Sequence, residues 1–404
     1  MRFLLVSTHV DQTTGYSKVA SNLLKQLATL MPKIKIFHFG FQRHPLSPGT
    51  RKAPAGVLTY DAAANEDPKE EGFGFNKIQE YIDTVNPDVV MIYNDPLVIA
   101  RFMEAMKHDR ASCPYKLWIY LDQVYEGIAP PLMDAIRQHA DKVYVFTEQW
   151  KEKLLEYGDF PNVGILEHAV DPSTFPKVSP EVRISVRKAL GIPQDAIVFL
   201  NANRNSQRKR LDLTIAGFVR LICENPSIPY YLVIATNATP QSGAYYDLSR
   251  IFMRELKKNN APNQLLVRMA VVDTSPPNVV SDEGINQLYH GSDIGINTSD
   301  GEGYGLCQLE HMYTGAPQVV TDTGSFRSFL SEKVARFIPT KDDCYFSGAM
   351  PLGGWCPTFA IADVAAAMKS AAENLPELRE NVKAYSFKTW SQVCDGWLED
   401  VLTL

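Results

Sequence analysis

Long runs of one charge are missing from this chain of 404 residues: Lys and Arg number 40 against 46 Asp and Glu, and the formal charge is −6. Without a basic cluster, neither a phosphate backbone nor an anionic bilayer meets a broad electrostatic footprint, which argues against nucleic acid as a partner. Also missing is any uninterrupted apolar stretch of about 20 residues, the length that a membrane-spanning helix needs. Membrane attachment would have to be peripheral. The apolar run within Met1–His9 is too short for a signal peptide, and the polar stretch after it offers no small-residue cleavage site, so it reads as a buried first strand. Cysteine is sparse: Cys113, Cys223, Cys307, Cys344, Cys356 and Cys394 form no Cys-x-x-Cys pair and no spacing with His that closes a zinc tetrahedron. The expectation is a cytoplasmic protein with reduced thiols and no bound metal.

What is present is an ordinary globular balance, with 45% hydrophobic and 21% charged residues. The length exceeds what one hydrophobic core organises, so two domains are expected. Short β-branched apolar runs alternate with longer amphipathic stretches, the pattern of parallel sheets flanked by helices. Strands are expected at 3–7, 34–39, 88–93, 117–121, 143–146 and 164–166. Helices fall between them at 17–30, 76–85, 96–107 and 131–139. Three prolines, Pro172, Pro176 and Pro180, then break the rhythm. The alternation restarts with strands at 196–201, 230–235, 265–272, 294–297, 318–321 and 336–338 and helices at 211–224, 246–258, 284–291 and 306–315. The expected organisation is an N-terminal Rossmann-like domain over 1–170, a linker over 171–185 and a second Rossmann-like domain over 186–384. A final amphipathic helix over 385–404 completes the chain, carrying Phe387, Trp390, Val393, Trp397 and Val401 at helical spacing and packing back on the first domain.

The most informative stretch runs from Ser299 to Glu310, between a strand and a helix. Glu302 and Glu310, with seven residues between them, bracket a glycine-rich turn, and glycines stand at 301, 303 and 305. Such glycines let backbone approach a ligand closely, and the free N–H groups of the next helix, near Gly303, Tyr304, Gly305 and Leu306, attract an anion such as a diphosphate. The bland alternative is an ordinary glycine-rich turn with a solvated glutamate. The glycines do not follow Gly-x-Gly-x-x-Gly, and no Walker lysine is present, which excludes the dinucleotide fingerprint and the P-loop. Upstream, Asn203-Arg204-Asn205-Ser206-Gln207-Arg208-Lys209-Arg210 is a basic run at a helix start, readable as a solvated face or as an anion grip.

Glu302 to Glu310, with Met312, Gly315-Ala316-Pro317 and Thr321-Asp322-Thr323-Gly324 after it, resembles the glutamate-x7-glutamate region of retaining GT-B glycosyltransferases, family four. The resemblance implies two Rossmann-like domains facing each other across a cleft. It carries Arg204 and Lys209 over as the pair that grips the donor diphosphate, with Asn203 beside them. Glu302 is carried over as the holder of the donor sugar's hydroxyls, and Glu310 as that of the ribose. Thr13-Thr14-Gly15-Tyr16-Ser17 is similar to the family's glycine loop, which assigns Gly15 to the diphosphate. Two departures stand out. His168 and Ala169 occupy positions where the family has Asn-Gly, and Asp122 comes after the 117–121 strand where members often have histidine. Asp122 either orients an acceptor or donor hydroxyl or caps its loop. The family's acceptor specificity is expected in 42–75, where the resemblance is thin.

The resemblance further implies a retaining transfer to a glycan or other hydroxyl acceptor, with a nucleotide-diphosphate sugar as co-substrate and no cofactor. The sequence has no Asp-x-Asp triplet, so turnover without metal is expected. Similarity to bacterial and large-virus mannosyltransferases favours GDP-mannose, with UDP-glucose the alternative donor. A nucleotide-sugar epimerase, a phosphorylase-like enzyme using pyridoxal phosphate and a non-catalytic binding module remain open readings.

Overall fold

The computed structural model describes residues 1–43, 49, 51–64, 67–346 and 352–404. They divide into two compact units. The first comprises 1–169, 345–355 and 388–404, and the second 170–344 and 356–387.

In the first unit the strands are β1 (Arg2–Thr8), β2 (Lys35–Phe41), β3 (Val57–Asp61), β4 (Val89–Asn94), β5 (Lys116–Leu121), β6 (Lys142–Val145) and β7 (Val163–Ile165). They form one parallel sheet in the order β3-β2-β1-β4-β5-β6-β7. All six residues of β4 and six of the seven in β1 are buried, because helices cover both faces of a doubly wound sheet. The helices are α1 (Gly15–Leu30), α2 (Ile78–Val85), α3 (Pro96–Ala105), α4 (Pro130–His139) and α5 (Glu148–Leu155). Strand β3 escapes the sequence reading because its burial is partial, with Leu58 62% exposed on the sheet edge.

The second unit repeats the design with β8 (Ile197–Asn201), β9 (Tyr230–Thr236), β10 (Met269–Asp273), β11 (Ile294–Asn297), β12 (Gln318–Thr321) and β13 (Ala335–Ile338), ordered β10-β9-β8-β11-β12-β13. Around them lie α6 (Pro180–Ala189), α7 (Leu211–Glu224), α8 (Leu248–Lys258), α9 (Asp282–Gly291), α10 (Leu306–Tyr313), α11 (Phe326–Phe329), α12 (Ile361–Glu373) and α13 (Leu375–Lys383). Helices α7 and α12 approach closely: a Cβ at Gly217 would lie 2.3 Å from Val364, so only glycine fits. The strand expected over 265–272 begins only at Met269, since 263–268 forms a 3₁₀ helix that leaves Leu266 and Val267 exposed.

The segment expected as a linker is partly structured. Helix α6 is locked to the second sheet by Arg187, fully buried, which donates to Asp293 Oδ2 at 2.6 Å and to the carbonyls of Gly291, Gln194 and Ala196. Asp293 also accepts the Val198 N–H at 2.8 Å, and its carboxyl is held below the usual range: burial pushes it up, but Arg183, Arg379 and Arg187 outweigh burial.

The last helix, α14 (Trp390–Leu402), starts later than the periodicity suggests because Thr389 and Gln392 form a capping box. Phe387 lies outside it and meets the rings of Tyr313 and Tyr385 in the second unit. Trp397 is buried edge-on to Phe3 in the first unit, at 5.9 Å between ring centroids, and Tyr144 donates to Asp400 at 2.6 Å. No helix among the described residues is long and apolar enough to cross a membrane.

Candidate functional site

In an open α/β sheet the strand order reverses at one point, and the loops leaving the carboxyl ends of the two strands there diverge to leave a crevice. In the second unit those strands are β8 and β11. The loop after β8 is the basic run 202–210 that leads into α7, and the loop after β11 is the glycine-rich run 298–305 that leads into α10. Two motifs 93 residues apart in sequence thus share one crevice edge, and Lys209 Nζ meets Glu302 Oε2 directly.

Both members of this pair are buried, at 7% and 8% exposure. Burial would push the Glu302 carboxyl up, but Lys209 and Arg208, with hydrogen bonds from Lys209 and Asn297, hold it at about 2. Burial, and after it the neighbouring Arg208 charge, lowers the Lys209 ammonium despite the opposing pull of Glu302. Ser299 Oγ and Asn297 Nδ2 each donate to Glu302 Oε2 at 3.2 Å. Asn297 is fixed in turn by Gln308 at 2.9 Å. Arg208 donates to the Gly301 carbonyl at 2.7 Å, and the Asp300 N–H donates to the Arg208 carbonyl at 2.9 Å, so the two loops are stitched along their backbones. Arg204 is exposed, and no partner for its guanidinium is found among the described residues.

Glycine is required where these loops turn. Gly305 caps α10 with φ 97°, and a Cβ there would lie 2.4 Å from the Phe326 ring. Gly324 has φ 56° and would place a Cβ 2.1 Å from the Glu302 carbonyl oxygen. No side chain caps the N-terminus of α10. Tyr304 faces inward. Its ring stacks on Phe329 at 5.2 Å, and the residue is 5% exposed. Asn203 is likewise buried, and its amide donates to Asn201 Oδ1 at 2.8 Å, which makes it a brace of the loop. Glu310, 2% exposed, accepts a hydrogen bond from Tyr289 at 3.0 Å. Tyr289 stacks on His311 at 4.9 Å between centroids. Sequence reasoning misses Tyr289; it lies 21 residues from Glu310, on α9, with no local motif to mark it.

In the first unit the strands at the reversal point are β1 and β4. Gly15 opens α1 beneath the Thr14 cap, is exposed, and a Cβ there would meet nothing within 4 Å among the described residues. Its backbone is not left-handed, so the fold itself does not demand glycine. Asp122 accepts a hydrogen bond from Tyr16 at 2.5 Å, which ties the loop after β5 to the first turn of α1. Tyr16 in turn packs on Tyr93 at 5.1 Å. His168 is buried beside Phe146, at 4.4 Å between centroids, and burial lowers its imidazole to about 3, so it is a neutral core ring. Part of the 42–75 region expected to carry acceptor specificity, residues 44–48, 50, 65 and 66, lies outside the described residues. Among the described residues no group of three His, Cys, Asp or Glu is placed to hold a metal ion.

No family model matches the chain. A D-inositol 3-phosphate glycosyltransferase of Saccharomonospora viridis is 27% identical over 209 residues, covering 50% of this chain and 45% of that one. The lipopolysaccharide core biosynthesis mannosyltransferase LpsB of Rhizobium meliloti is 30% identical over 190 residues, covering 46% and 48%. The chain thus spans about half the length of these curated relatives. Among solved structures, sucrose-phosphate synthase from Thermosynechococcus elongatus superposes with a TM-score of 0.71 at 16% identity, covering 100% of this chain and 99% of that one. The Anabaena protein Alr3699/HepE in complex with UDP and glucose gives 0.69 at 13%, with both chains covered in full. This is a GT-B chain, related in sequence to glycosyltransferases. Of the residues singled out from the sequence, Asn203, Arg204, Lys209 and Glu302 lie in the loops after β8 and β11, Gly15 follows β1, Asp122 follows β5 and Glu310 lies within α10.

Proposed function

We propose that the protein is a retaining, metal-independent glycosyltransferase of family four that moves a hexose from a nucleoside-diphosphate sugar to a hydroxyl acceptor. The observation that carries this reading is the buried Lys209–Glu302 pair at the reversal point of the second unit, beside exposed Arg204 and the uncapped start of α10.

When the bond between the anomeric carbon and the diphosphate oxygen breaks, negative charge gathers on the leaving diphosphate. Lys209, Arg204 and the N–H groups from Gly303 to Leu306 stabilise that charge in a site where Glu302 is kept ionised. The acceptor hydroxyl oxygen forms the new bond on the face the diphosphate leaves, and its proton passes to the leaving phosphate oxygen. Glu302 orients sugar hydroxyls, Glu310 holds the ribose, and Gly15 leaves room for a close approach by the diphosphate to its own loop. Asp122, fixed by Tyr16, orients a hydroxyl.

GDP-mannose is the favoured donor, in line with the mannosyltransferase from Rhizobium. UDP-glucose is the second reading, favoured by the UDP and glucose held by the Anabaena structure. The six cysteines are free thiols, which fits a reducing, cytoplasmic setting. The test is release of nucleotide from GDP-mannose and from UDP-glucose after EDTA treatment. Turnover that persists in EDTA with one of the two supports the reading and names the donor. Activity that disappears in EDTA and returns with Mg²⁺ or Mn²⁺ defeats the metal-independent mechanism.

A further inference from the structure

Beneath the Lys209–Glu302 pair lies a set of buried hydroxyls that none of the motifs explains. Thr214, in the first turn of α7, and Thr298, at the exit of β11, are fully buried, as is Asn201 at the end of β8. Their hydrogen bonds run in one direction only. Asn201 Oδ1 accepts the Asn203 backbone N–H at 3.2 Å, so its amide nitrogen is the atom facing Thr214, to which it donates at 3.0 Å. The Thr214 and Thr298 hydroxyls share a hydrogen bond at 2.6 Å, and Thr214 is its donor when the Thr298 proton goes to a carbonyl. Thr298 then donates to the Arg210 carbonyl at 2.8 Å, with the Lys209 carbonyl at 3.4 Å. An amide that only donates fixes one end of the chain, and a carbonyl that only accepts fixes the other.

The chain ends on an unusual residue. Arg210 has φ 45° and ψ 48°, a left-handed conformation that a non-glycine residue adopts only under constraint. A bidentate contact from its guanidinium to Asp212, both bonds at 3.0 Å, holds it from the side-chain end. Lys209 is the residue just before it, so the turn at Arg210 sets the direction in which Lys209 leaves the backbone. Glu302 leaves from the loop that begins at Thr298. The Thr298 hydroxyl therefore joins the two loops that carry the ion pair at their bases, in addition to the Arg208–Gly301 and Asp300–Arg208 bonds.

We infer that Thr298 is a positioning residue for the donor site: through the Asn201–Thr214–Thr298 chain it holds the basic run against the glycine-rich loop. This inference rests on the proposed donor site. Thr298 is fully buried, and its effect is exerted through Lys209 and Arg210.

The test compares wild type, Thr298→Val and Thr298→Ser by calorimetric titration with GDP and UDP and by thermal melting, with Met368→Ala on α12 as a destabilised comparator. Valine keeps the shape and removes the hydroxyl, leaving the Arg210 carbonyl and the Thr214 hydroxyl short of a partner. The expected result for Thr298→Val is a Kd raised about tenfold or more for the nucleotide that wild type binds. Thr298→Ser should restore wild-type affinity, and Met368→Ala should lower the melting temperature without moving Kd. If Thr298→Val does not fold, Thr214→Val cuts the chain one link earlier and carries the same comparison. A Kd unchanged in Thr298→Val, or serine that fails to restore it, overturns the inference while the donor site stands. A wild type that binds neither nucleotide overturns both.

Discussion

Glu302 shows how a single carboxylate is set to its task. Its ordinary value is 4.5, and Lys209 and Arg208 overcome burial to hold it at about 2. A carboxylate depressed on folding contributes stability that is fully present above about 4.5 and is lost as pH falls through about 2. Unfolding monitored across that window should therefore show wild type losing stability more steeply than Glu302→Gln. At neutral pH the same variant strands the Lys209 ammonium in a buried site, at a cost of about 3–5 kcal/mol, visible as a lower denaturation midpoint. Gly15 offers the opposite separation. Because a Cβ there meets no atom of the described residues, Gly15→Ala should leave stability within about 0.5 kcal/mol of wild type. If a diphosphate does approach this loop, kcat/KM should nevertheless fall about tenfold or more; unchanged kinetics would remove Gly15 from the site.

Among the elements, those built on uninterrupted apolar runs were legible in the sequence, and those built on partial burial were not. Strand β4 is apolar throughout most of its length and buried throughout, whereas β3 mixes exposed Leu58 with half-buried neighbours and gives no clear period. The run over 265–268 looks like strand in composition, yet exposed Val267 shows that hydrophobicity alone does not bury a segment. Helix α14 was legible by its spacing, but its true start depends on the Thr389–Gln392 capping box, which interrupts the apolar period that includes Phe387. The contact with Phe3 makes α14 a structural part of the first unit. Trp397→Ala should cost about 3–5 kcal/mol in a denaturant titration. A loss below about 1 kcal/mol would show that the helix is only loosely attached.

At the scale of the whole molecule, two sheets that share one strand order over six strands each bring a β1-like and a β4-like carboxyl end together, and the basic run and the glycine-rich run follow those ends in the second unit. That much was readable, because glycines and charges at loop positions carry local signals. The hydrogen-bonded partners were not readable: Thr214 and Thr298 stand 84 residues apart, and Tyr289 reaches Glu310 from a different helix. Nor could Tyr304 and Asn203 be recognised as inward-facing, since ring stacking on Phe329 and bracing by Asn201 arise only once the loops are folded. The central claim is that the crevice after β8 and β11 binds a nucleoside diphosphate through Lys209. Its most direct test is calorimetric titration of wild type and Lys209→Met, in EDTA, with GDP-mannose, GDP, UDP-glucose and UDP. The account predicts that wild type binds one nucleotide family and that Lys209→Met loses at least about tenfold in affinity for it. Equal binding by the two proteins, or no binding of any of the four ligands by wild type, would contradict it.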